Sequence, residues 1–159
     1  MAVFTSKYAS GEFGRRLHNG GVQKVKFKIK IPTEALDSND EQVLLLKFPD
    51  DGDVSLRRGS QYDGVFVFDA LDGSGTAAGN IGIGGSDGVI TALTIACATS
   101  VLDGGTVDFS GATGVDLDVT GKYLIYDNTV AAGAAAAGYI TGHVFVDPGY
   151  NFNTDDSLV

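Results

Sequence analysis

A chain of 159 residues with net charge −9, 23 glycines, three prolines and no tryptophan suits a single all-β domain, rich in tight turns, that buries its core without staples. Cys97 is the only cysteine, so an internal disulfide is excluded and a reducing folding compartment is expected. No apolar run approaches the roughly 20 residues of a helical membrane span and no secretory leader is recognisable, which argues against a membrane role.

Charge is unevenly placed along the chain. The first thirty residues hold Lys7, Arg15, Arg16, Lys24, Lys26, Lys28 and Lys30 against Glu12 alone, a balance of +6 that leaves −15 for the rest. Residues 1–21 show neither helical nor strand period and mix Gly, Ser, Arg, His and Asn with isolated apolar side chains. They are expected to form an extended arm that orders on a partner, with Phe4, Tyr8, Phe13 and Leu17 as anchors and Lys7, Arg15 and Arg16 meeting carboxylates. Residues 22–31, VQKVKFKIKI, alternate almost without fault: Val25, Phe27, Ile29 and Ile31 face a core, and Lys24, Lys26, Lys28 and Lys30 face water or a partner. A lysine face is also a common defence of a strand edge against pairing.

Beyond Pro32 a polar connection leads to 41–49, EQVLLLKFP, whose continuous apolar run predicts a strand covered on both faces. Asp50, Asp51, Gly52 and Asp53 form a turn without the ligand spacing of a calcium loop, so no metal is expected. A weak strand or loop over 54–62, carrying Arg57 and Arg58, precedes a strong strand over 64–71, and 72–76, DGSGT, is a turn. The glycines of 79–85, GNIGIGG, lack the following helix and lysine of a phosphate loop and mark instead a close backbone approach or a bulge. Residues 89–101, VITALTIACATSV, can be arranged on a helix face, yet their β-branched content and short flanking turns favour a strand, or a strand with an irregular middle, with Cys97 in the core. Short strands follow at 107–109 and 115–119.

Residues 121–147 alternate on either side of a loop that is almost all alanine and glycine, and a β-hairpin with a mobile tip over 130–138 is the economical reading. Residues 148–159 form an acidic tail carrying Tyr150 and Phe152. The expected architecture is therefore a single antiparallel β-sandwich or jelly-roll of about eight strands over 22–147, with the arm before it and the tail after it. Its strand order is open. No catalytic constellation emerges: His18 lies in the arm, His143 on a strand face and Cys97 in an apolar run. No cofactor is indicated. An acidic body without an aromatic and arginine platform argues against nucleic acid.

Three stretches together resemble small structural proteins encoded beside the major capsid protein in tailed phages: MAVFTSKYASG at the start, FVFDALDGSGTAAGNIGIGGSDG, and the closing GKYLIYDNTVAAGAAAAGYITGHVFVD with its DxTV turn. The resemblance implies a non-enzymatic decoration or cement protein on the outer surface of a virion, a homotrimer that bridges subunits of the major capsid protein. A carbohydrate-binding module or a head-fibre base used in host attachment is the alternative.

Overall fold

The computed structural model describes residues 2–9, 22–50, 53–57, 62–108 and 116–147. Its strands are β1 (Val3–Thr5), β2 (Gln23–Ile31), β3 (Glu41–Lys47), β4 (Ser55–Arg57), β5 (Val65–Phe68), β6 (Ala78–Gly84), β7 (Ile90–Cys97), β8 (Thr106–Asp108), β9 (Leu117–Asp118), β10 (Tyr123–Val130) and β11 (Gly138–Asp147). One four-residue helix, α1 (Thr99–Leu102), separates β7 from β8. The period-two pattern of β2 is obeyed throughout, with its valine, phenylalanine and isoleucines buried and its four lysines exposed. β3 is buried on both faces, as its unbroken apolar run requires. Val43 and Leu45 enter the main core, while Leu44 meets Ile125 and Ala9 in a second cluster on the other side of the sheet.

Two sheets pack face to face. One runs β1-β3-β10-β6-β7; in the other, β11 pairs with β2 along one edge and with β5 and β4, end to end, along the opposite edge, with β8 and β9 outermost. The antiparallel pairings nest: β2 with β11 encloses β3 with β10, which encloses β5 with β8, which encloses the β6 and β7 hairpin. That nesting is a jelly-roll, the one of the two expected topologies that the chain adopts. Eight strands make the roll, and the short β1, β4 and β9 raise the count to eleven. β1 joins by a parallel pairing with β3, so the sandwich is not wholly antiparallel, and the segment read from sequence as the start of an arm contributes an edge strand.

The closing hairpin expected over 121–147 is not formed. β10 lies in one sheet and β11 in the other, so the alanine and glycine connection crosses the sandwich as an arch. Nor is that connection loose. Ala132 N–H donates to the Leu36 carbonyl (2.8 Å), Ala136 N–H to the Leu71 carbonyl (2.9 Å), and Ala131 N–H to Asn39 Oδ1 (2.7 Å). The core spans the sheets through pairs such as Phe68 and Tyr126, whose rings meet edge to face at 6.0 Å. The Tyr126 hydroxyl donates to Asn128 Oδ1, and Asn128 Nδ2 donates to the Ser38 carbonyl at 2.8 Å, so these buried polar groups are satisfied and tie the 33–40 connection to β10.

Within the 89–101 segment Ile90–Cys97 form a strand, and of the two forms left open for it β7 takes the one with an irregular middle. Leu93 adopts φ 52°, and the register against β6 slips beside Gly82. A Cβ on Gly82 would strike the Leu93 carbonyl, so glycine there admits the bulge.

Candidate functional site

The outer face of the β11 sheet gathers most of the chemistry displayed by the described residues. Antiparallel register sets Tyr139 beside Lys30, Thr141 beside Lys28, His143 beside Lys26 and Phe145 beside Lys24. On the other side of β11, His143 faces Val65 and Thr141 faces Val67, a valine that is 44 % exposed. A column of cations thus stands next to a column of polar and aromatic side chains. The Lys28 ammonium lies 4.6 Å from the centroid of the Tyr139 ring, and Phe145 meets Tyr62 and His143 edge-on at 5.6 Å each. Among the described residues no carboxylate pairs with Lys24, Lys26, Lys28 or Lys30. Between the columns lies a shallow depression of about 500 Å³, lined by Tyr8, Lys26, Lys28, Val65, Val67 and His143 among others.

His143 sits within this charged row. Burial lowers its pKa from the ordinary value, Lys24 and Lys26 lower it further, and the Asp63 carbonyl, 3.2 Å from Nε2, acts the other way. The imidazole is therefore held toward its neutral form. At the end of β11, Arg57 bridges Asp116 and Asp147, the latter at 2.5 Å, and ties β4 to β11 and to the residue just before β9. Its charge is held chiefly by the hydrogen bond to Asp147.

The arm residues divide. Phe4 and Tyr8 are half-buried against the chain's own core, and Lys7 is exposed with its ammonium 5.1 Å from the Tyr8 ring centroid. Phe13, Arg15, Arg16 and Leu17 lie outside the described residues, as does the tail 148–159. What the sequence reading missed is the partnership of the lysine strand with β11. The alternation of Tyr139, Thr141, His143 and Phe145 was visible, but nothing local says that these side chains lie beside residues more than a hundred positions earlier.

At another end of the sandwich Asp72, 1 % exposed, accepts hydrogen bonds from the N–H groups of Ser74, Thr76, Ala77 and Ala134 and from the Ser74 and Thr76 hydroxyls, at 2.6 to 3.2 Å. Its carboxyl is held far below the usual carboxylate range, first by the Ser74 hydroxyl and then by backbone N–H donors, against the opposing cost of burial. All these donors are uncharged and converge on one buried carboxylate, so the cluster is a knot that fastens the arch to the 72–76 turn. Cys97 is 1 % exposed and burial pushes its thiol up to about 12, so it presents no thiolate. No group of three or more potential metal ligands occurs among the described residues.

Fold and surface together define a small jelly-roll with one basic, aromatic sheet face. No protein-family model and no curated protein sequence matches the chain. Among solved structures, a chain of the capsid of Ralstonia phage GP4 matches with TM-score 0.65 and 20 % identity over 94 % of this chain and 99 % of that one. A chain of the capsid asymmetric unit of cyanophage Pam1 matches with TM-score 0.52 and 14 % identity over 80 % of this chain and 86 % of that one. At these identities what is shared is the fold.

Proposed function

We propose that the chain is a non-enzymatic virion structural protein that decorates the outside of a phage capsid and bridges neighbouring subunits of the major capsid protein, acting as a homotrimer. The observation that carries the reading is the end-to-end correspondence with the GP4 capsid chain, which runs the length of both molecules. The counterpart is thus a capsid chain of this size, one jelly-roll and little else. The exposed lysine strand supports attachment to an acidic surface, and symmetric closure into a trimer lets several weak contacts act at once. A carbohydrate-binding role would need an open aromatic platform; the Tyr139 ring lies against the Lys28 ammonium and Phe145 is engaged edge-on, which disfavours stacking on sugar.

Quantitative mass spectrometry of virions purified from the encoding phage tests this directly. Hundreds of copies per particle are expected for decoration, whereas absence from the particle would sink the proposal. Light scattering of the free protein tests the trimer, which a monomer at high concentration would remove.

A further inference from the structure

We propose that the outer face of the β11 sheet is a graded dock for one acidic segment of the shell partner, whose carboxylates lie on Lys26 and Lys28 while an aliphatic side chain of the same segment seats against Val65 and Val67. The inference rests on the capsid reading above and names the chemistry of its contact. Strand register lays the face out as a grid. One row runs Lys26, His143, Val65 and Asp108 across β2, β11, β5 and β8, and the next runs Lys28, Thr141, Val67 and Thr106. The face therefore grades from a cationic column through a polar one to an aliphatic one. Neighbouring strands stand ~4.8 Å apart, so the lysine and valine columns lie two spacings, ~9.6 Å, from each other.

Both ends of that gradient are open to a partner. The four lysines of β2 are exposed, and no carboxylate among the described residues pairs with them. Val67 is 44 % exposed. A lone exposed valine carries no message. This one stands one row from Val65 and shares with Lys26 and Lys28 the lining of the depression of about 500 Å³, where Tyr8 from the chain's own opening segment adds part of the wall. An aliphatic group set there covers apolar surface, and each carboxylate over a lysine adds the attraction of an exposed pair. Beyond the valines stands the exposed Asp108, whose charge repels the acidic end of the segment and turns it toward β2. A second copy of this face would instead bring four more lysines to the four already there, which like-charge repulsion disfavours. The column separation also matches a common backbone. In polyproline II, residues i and i+3 lie on one side at ~9.3 Å.

The probe is the peptide Glu-Glu-Pro-Pro-Leu, which the prolines hold extended, titrated into the full chain at low salt and followed by the methyl NMR signals of Val65 and Val67. Binding that shifts both signals is expected. Replacing the leucine with serine keeps every charge and should weaken binding by about tenfold, a loss of about 1.4 kcal/mol. Val67→Ser, at an exposed position and with folding checked by circular dichroism, should bind both peptides alike. The double change Lys26→Glu and Lys28→Glu, checked in the same way, should lose them both. Equal binding of the two peptides by the native chain, or no binding at all, overturns the dock and leaves a plain cationic face. Shifts of the valine signals on concentrating the free protein alone would give the face to a second copy and overturn the dock equally. On virions the two readings part: absence of the native chain refutes the capsid role, whereas full occupancy by the Lys26→Glu, Lys28→Glu form refutes the dock alone.

Discussion

Asp72 shows how one side chain can hold a distant loop. Its six donors come from the 72–77 turn and from Ala134, so removing the carboxylate leaves the buried Ala77 N–H and three part-buried N–H groups without their acceptor at once. Asp72→Ala should destabilise by about 3 kcal/mol, with Asp72→Asn in between, measured as a shift of the urea midpoint. The acid limb follows from the sign of the pKa shift. The folded value lies below the ordinary 3.8, so the stabilising contribution is complete above that pH and is lost as pH falls below it. The difference between native protein and Asp72→Asn should therefore narrow as pH drops below about 4, and a constant difference would assign the effect to packing instead. Gly142 is the second sensitive position. It lies between Phe27 and Phe66, whose rings meet at 5.7 Å across the strand, and a Cβ there would collide with the Val65 carbonyl and press on the Phe27 ring. Gly142→Ala should cost about 2 kcal/mol by thermal or urea unfolding, because neither the backbone nor a packed ring can yield cheaply.

At the scale of the element, what was legible in the sequence is what depends on near neighbours. β2 announced its two faces, β3 its double burial, and β7 its strand character, though not whether its middle was regular, because pleat and period are local properties. The partner of each strand was not legible. An alternating segment looks the same whether it turns back as a hairpin arm or crosses to the facing sheet, and that ambiguity produced the misassigned β10 and β11 hairpin. The Asp72 knot was hidden for a related reason: DGSGT is a turn in either case, and only the arriving arch makes its carboxylate a buried acceptor. Likewise the lysines were found as a face, but their neighbours Tyr139 and His143 came from the far end of the chain. The arch has a direct test. Replacing residues 131–137 with Asn-Gly, a connection that suits a two-residue hairpin, should abolish folding, since facing sheets stand about 10 Å apart and β10 and β11 belong to different ones. A folded, cooperative variant by calorimetry would restore the hairpin.

For the whole molecule, nesting brings the cationic opening of the chain against its end. Gln23–Ile31 pairs with Gly138–Asp147, so the fold displays four lysines on one stiff sheet face while residues 31–159 carry a balance of −15. A molecule polarised in this way should be oriented by an acidic shell as it approaches, and held there by contacts that salt can reach. The lysines are exposed, so screening acts on them fully: the Debye length falls from about 8 Å at physiological ionic strength to about 3 Å at 1 M. In the proposed trimer three such faces engage together, and a modest weakening of each is multiplied in the release of the whole. Washing decorated particles at rising salt, with retained protein counted by mass spectrometry, should therefore show a steep loss of the native chain between these two conditions. The Lys26→Glu, Lys28→Glu form, already deprived of the attraction, should bind weakly and respond less to salt. Retention of the native chain at 1 M salt equal to that at physiological strength would mean that apolar packing, and not the lysine face, holds the protein to its shell.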